Sequence, residues 1–115
     1  MPLNDIERAQ VQATVGAMVE RQQPPPEIQD QLRIEMEIDG HRVRVWTVRP
    51  QYMNPTETVR SAVAQFTYVR TRDAWTLHWM RADGKWHRWR PEESTGPLAD
   101  LVRIVEEDRA GAFWG

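Results

Sequence analysis

The sequence predicts an α+β fold: a five-stranded, mainly antiparallel sheet with one helix before it and one after it, in a single domain spanning residues 1–115. Three observations predict it. Two runs rich in apolar and aromatic residues are each folded back at an Asp-Gly pair, Asp39-Gly40 and Asp83-Gly84, a dipeptide suited to hairpin turns. A long alternating run, residues 59–70, lies between the hairpins. Apolar residues at helical spacing bracket this region on both sides, with Val11, Val15, Met18 and Val19 ahead of it and Leu98, Leu101, Val102 and Val105 behind.

The first helix starts at Asn4. Its side chain is a good N-cap, and Glu7 three residues on completes a capping-box pattern, with Asp5 and Glu7 at the positive end of the helix dipole. Gly16 is a weak point within the helix. Pro24-Pro25-Pro26 ends it, since proline lacks an amide donor and pushes its predecessor out of helical geometry. The triple proline is read as a stiff corner between helix and sheet.

In the first hairpin Leu32, Ile34, Met36 and Ile38 alternate with Arg33, Glu35 and Glu37, and Val43 and Val45 alternate with Arg42 and Arg44. A two-residue turn at Asp39-Gly40 pairs Met36 with Val43 and Ile34 with Val45 on the inner face. On the outer face it pairs Glu37 with Arg42, Glu35 with Arg44, and Arg33 with Trp46. Such exposed ion pairs select register more than they stabilise. Pro50 and Pro55 bracket a polar connection over residues 51–57. In the strand that follows, Ala62, Ala64, Phe66 and Tyr68 share one face, and the small residues suggest a helix lying over them.

Residues 75–90 are the densest part of the chain, holding four of its six tryptophans, two of its three histidines and several arginines. Two registers compete. A two-residue loop at Asp83-Gly84 sets Trp79 opposite Arg88 and Leu77 opposite Arg90. A three-residue loop, Ala82-Asp83-Gly84 with Gly84 as a bulge, sets Trp79 opposite His87 and Leu77 opposite Trp89. The bulged form is favoured, because the other places two arginines opposite the most apolar side of the preceding strand. It gathers Trp75, Leu77, Trp79 and Trp89 on one face and Thr76, His78, Met80, Trp86, Arg88 and Arg90 on the other.

Past Pro91 the chain leaves the sheet. Ser94-Thr95-Gly96-Pro97 reads as a helix start and Gly111 as its C-terminal cap. Phe113 and Trp114 should fold back into the core, since burying a Phe side chain is worth about 1.5–3 kcal/mol. Both helices are expected to cover one sheet face and leave the other partly open.

The pattern Trp75-Thr76-Leu77-His78-Trp79, Lys85-Trp86-His87-Arg88 and Gly111-Ala112-Phe113-Trp114-Gly115 resembles a family of small, Trp-rich bacterial proteins catalogued only as a domain of unknown function and ending in a Gly-x-Phe-Trp-Gly motif. The proline-ended first helix and Val63-Ala64-Gln65-Phe66 fall where that family has similar features. The chain departs from it at Asp108-Arg109-Ala110, where the family would have an Asp-Pro. The resemblance implies a bacterial single-domain protein and brings no activity, cofactor or catalytic residue with it.

Net charge is only −2, so no global attraction to nucleic acid or membrane follows. Locally, residues 60–90 carry a balance of +5 and residues 91–115 a balance of −4. There is no cysteine, which removes thiolate chemistry and disulfides. The N-terminus lacks the basic flank and apolar run of a signal peptide, no run approaches the ~20 apolar residues that span a bilayer, and a cytoplasmic location is the default expectation.

Metal binding is not expected: His78 and His87 form the only close histidine pair, and no third ligand is well spaced. No cofactor motif is visible, and neither is a nucleophile elbow or a phosphate loop. A metal-independent nuclease using His78 and His87 as base and acid is a minor reading. Single-stranded nucleic-acid binding ranks above it, with His78, Trp86, Arg88 and Arg90 on the outer face and Arg70 and Arg72 nearby supplying stacking and phosphate contacts. Protein–protein interaction or homodimerisation through the Trp/Arg-rich sheet surface ranks first, because Trp and Arg dominate interface hot spots. The sequence thus points to a small non-catalytic binding domain without naming its partner.

Overall fold

The structure, a computed structural model, describes residues 2–114; Gly115, which ends the terminal motif, lies outside them. The first helical run is α1 (Asp5–Val11), a π-helical turn (Gln12–Gly16) and α2 (Ala17–Gln22). The capping box forms as expected: Asn4 Oδ1 accepts from the Glu7 amide at 2.8 Å and the Asn4 amide donates to Glu7 Oε1 at 2.9 Å. The widened turn around Gly16 is where the C-terminal helix packs across the first. Gln23 leaves the helix with ψ 138, ahead of the proline run.

The sheet consists of β1 (Arg33–Asp39), β2 (Arg42–Pro50), β3 (Thr58–Val69), β4 (Ala74–Met80), β5 (Trp86–Arg88) and β6 (Thr95–Gly96). Its order is β1-β2-β3-β4-β5, antiparallel throughout, and β6 also pairs with β4, beyond the end of β5. The chain closes with α3 (Leu98–Glu107). Thr95-Gly96 therefore do not open a helix as the sequence suggested. They complete the free side of β4 opposite Thr76 and Trp75, and α3 begins only after Pro97.

Two registers differ from expectation. In the first hairpin the loop is Gly40-His41, with Gly40 at φ +62 in the first loop position and Asp39 opposite Arg42. That order suits a turn needing positive φ at its first central residue. Met36 thus faces Val45, Ile34 faces Thr47, Glu37 faces Arg44 and Glu35 faces Trp46. The slip is two residues, so every side chain keeps its face and opposite charges still meet. In β3 a bulge at Val63 breaks the alternation: Val45 faces Ala64, but Trp46 faces Ala62. Ala62 consequently sits on the opposite face from Ala64, Phe66 and Tyr68.

The central hairpin takes the bulged register, with Trp79 opposite His87 and His78 opposite Arg88. The Trp89 amide donates to the Leu77 carbonyl at 2.9 Å, and Gly84 adopts φ +77 after the Gly84 amide donates to Arg81 O at 2.9 Å. Trp75, Leu77 and Trp89 are buried, alongside Val43, Val45, Phe66 and the two helical stripes. Both helices lie on this face, and the other face of the sheet is left open.

The tail docks. Helix α3 is stopped by Asp108 at φ +43, not by Gly111, which lies in the following turn. The Asp108 carboxylate accepts from the amides of Phe113 and Trp114, both at 3.0 Å, and Trp114 Nε1 donates to the Val105 carbonyl at 3.0 Å. Phe113 is 4% exposed and its ring lies 4.8 Å from that of Trp89. Asp108, which here precedes Arg109 in place of the expected proline, is thus the residue that holds the aromatic ending in place.

Candidate functional site

Alternation along β2, β3, β4 and β5 brings Arg42, Arg44, Gln65, Thr67, His78 and Trp86 around one groove of about 330 Å³ on the open face. Each strand contributes because its partner side chains are needed for the core beneath: Val43, Phe66 and Leu77 point down, so Arg42, Gln65 and His78 point up. His78 Nε2 lies 3.0 Å from Thr76 Oγ1, and the next strand places Arg88 directly opposite His78.

The arginines of this face divide into two groups. Glu37 accepts from Trp46 Nε1 at 3.0 Å and pairs with Arg60 at 3.2 Å, while Arg44 pairs with Asp39 at 3.0 Å and bonds Gln65 Oε1 at 2.8 Å. Arg33 pairs with Glu35 at 2.6 Å. Arg88 instead donates to two hydroxyls, Ser94 Oγ at 2.9 Å and Thr95 Oγ1. Among the described residues neither Arg88 nor the exposed Arg42 has a carboxylate partner. Burial holds the His78 pKa below its ordinary value, and Arg88 and Arg42 push it lower still. This favours the uncharged form of the imidazole, near two guanidinium groups that form no ion pair among the described residues.

The tryptophans are not equivalent. Arg60 stacks over Trp46 with its Cζ 4.2 Å from the ring centroid, and Trp86 meets Trp46 in a T-shaped contact at 5.8 Å. Arg60 thus covers Trp46 on one side, and Trp86, half-buried like Trp46, lies at the groove wall. A second groove of about 390 Å³ runs along the β5 edge, lined by Trp79, Arg81, His87, Arg88, Arg90 and Pro91. His87 bonds Asp83 there at 2.8 Å, and this bond, with the Lys85 amide, holds the Asp83 carboxyl below its usual range.

Of the residues singled out from sequence, His78, Trp86 and Arg88 meet on the open face, and Arg90 lies beside Arg88 at the edge. Arg70 and Arg72 do not join them. Arg70 follows the far end of β3, where it pairs with Glu7 at 3.0 Å, donates to the Pro2 carbonyl and covers Tyr68 of the helix-covered face. Arg72 is exposed in the adjoining turn. Sequence reasoning passed over Arg42, Arg44 and Gln65 as groove residues, because β2 becomes a neighbour of the Trp-rich hairpin only through β3. His78 and His87 sit on opposite sides of the sheet, so they cannot act as base and acid on one ligand. No group of three or more metal-ligating residues gathers among the described residues, and none of their helices is long and apolar enough to cross a membrane.

A family model described as Domain of unknown function (DUF3024) matches residues 3–115, nearly the whole chain. The chain belongs to this family. No curated protein and no solved structure matches it significantly. The family carries no activity in its description, so the surface described above is where a function must be sought.

Proposed function

We propose that the chain is a binding domain whose open sheet face receives an anionic protein segment at Arg42, His78, Trp86 and Arg88. One observation carries this reading. The fold neutralises Arg33, Arg44 and Arg60 with its own carboxylates and leaves the two arginines that flank His78 without one. An incoming carboxylate would find charge-assisted donors already oriented, since Arg88 is held by Ser94 and Thr95. Trp86 beside them offers the large amphipathic ring that protein interfaces favour.

Single-stranded nucleic acid is the competing occupant, because an aromatic ring among arginines also suits a base and its phosphate. The Arg60 guanidinium stacked over Trp46 counts against it, as sheet readers of this kind stack two or three bases on exposed rings. Titration calorimetry of the full chain with a glutamate-rich octapeptide and with a single-stranded oligonucleotide separates the two. The peptide is expected to bind, with a loss of about tenfold or more in the Arg42→Ala, Arg88→Ala double variant. Oligonucleotide binding that weakens steeply with salt, without peptide binding, would refute the reading. Light scattering across concentrations tests whether the anionic segment belongs to a second copy, whose residues 91–115 carry −4.

A further inference from the structure

We propose that the anionic segment binds by adding itself as an extra antiparallel strand along the free edge of β5. This rests on the anionic-partner reading and specifies how that partner is held at Trp86 and Arg88, the residues of that surface that lie on β5. The backbone of β5 supplies the first reason. The Trp89 amide bonds to Leu77 O and the Arg81 amide to Lys85 O, so the odd-numbered pairs of this hairpin exchange hydrogen bonds across it. The even-numbered pairs, His78 with Arg88 and Met80 with Trp86, are the wide pairs whose amide and carbonyl groups point outward. On β4 the His78 groups meet β3 opposite Gln65. On β5 the outward groups meet nothing in the sheet, which ends there.

The other edge of the sheet is treated differently. On β1 the Gln23 side chain takes the place of a neighbouring strand at Ile34, donating to its carbonyl at 2.6 Å and accepting from its amide at 3.0 Å. The side chains there, Glu35, Glu37 and Asp39, are occupied by Arg33, Arg44 and Arg60. Among the described residues the β5 edge has no such plug, and a groove lined by cations runs along it.

Side-chain alternation then dictates the partner. A residue opposite Arg88 lies on the open face beside Arg88, on the side away from β4, and should be acidic. The next, opposite His87, points to the other side, where Arg81 lies over the Trp79 ring, and should be acidic as well. The third, opposite Trp86, returns to the open face against the indole and should be apolar. The expected core is therefore acidic–acidic–apolar in an extended segment, the strand-addition mode in which backbone bonds give affinity and alternate side chains give specificity.

The test uses the full chain and two octapeptides with a glutamate–glutamate–leucine core, one unmodified and one N-methylated at the two amides that would face Arg88 and Trp86. Calorimetry gives affinity, and amide hydrogen exchange gives the mode. The unmodified peptide should bind at least about tenfold more tightly than the methylated one. It should also slow exchange at the Trp86 and Arg88 amides, and Arg88→Glu should abolish binding. Equal affinity of the two peptides, or unchanged exchange at both amides, overturns strand addition while leaving the anionic-partner reading standing. If neither peptide binds, that underlying reading fails with it. Exchange in the unsubstituted chain decides the mode even if Arg88→Glu disturbs the Ser94 and Thr95 contacts.

Discussion

Replacing Phe113 with Ala tests how much of this small domain hangs on its last residues. The ring is 4% exposed and packs at 4.8 Å on Trp89, itself 3% exposed, so truncation leaves a hole that close-packed neighbours cannot fill. Phe→Ala at such a site costs about 3–5 kcal/mol, a large part of the 5–15 kcal/mol typical of a whole domain. For a chain of this size roughly 4 °C accompany each kcal/mol, so the melting temperature should fall by about 10–20 °C. Far-UV circular dichroism during heating, with urea unfolding to confirm an unchanged m-value, measures it. A companion variant isolates the clasp. Asp108→Gly relieves the φ +43 backbone but removes both acceptors from the Phe113 and Trp114 amides, and should still destabilise. A melt within about 2 °C of the unsubstituted chain for Phe113→Ala would show that the tail is not part of the core.

Four further outcomes follow from the same contacts. Gln23→Ala uncovers the Ile34 backbone and should cost about 1–2 kcal/mol, with more self-association at high concentration, read by urea unfolding and light scattering. Gly84→Ala meets no neighbouring atom but forces a Cβ into φ +77, so about 1 kcal/mol should be lost by the same unfolding measurement. The Arg21 guanidinium, helped by Gln22, holds Glu106 below its ordinary pKa of 4.5 against the opposing effect of burial. Because the folded value is the lower one, this stabilisation is complete above the unfolded value and is lost as pH falls through the folded value. The deficit of Glu106→Gln relative to the unsubstituted chain should therefore be largest near pH 7 and shrink as pH falls below the ordinary value of 4.5. His78 should titrate below ordinary histidine when followed by NMR, and should move back upward in Arg88→Ala, since Arg88 is one of the groups that depress it.

Much of the fold was legible because its signals are local. The buried stripes of both helices, the capping box at Asn4 and Glu7, and the sorting of Trp75, Leu77 and Trp89 to the dry side follow from periodicity alone. The bulged register of the central hairpin also followed, because the alternative would have placed arginines opposite core residues. Where the sequence misled, two local solutions were nearly degenerate. Slipping the first hairpin by two residues preserves both faces and the charge pairing, so only the loop geometry of Gly40 could decide. The Val63 bulge leaves no mark in composition, and the roles of Thr95-Gly96 and Asp108 depend on partners far away in the chain.

The candidate site divides along the same line. Residue order determined that Trp86 and Arg88 share a face, since side chains on a strand alternate whatever surrounds them, and the bulged register added His78 to it. Strand order decided the rest: that β2 lies two strands from β4 and brings Arg42 and Arg44 to the groove, and that Arg70 is claimed by Glu7 on the other side. Which arginines are left without a carboxylate is a property of neighbours in space, and spacing along the chain does not encode it.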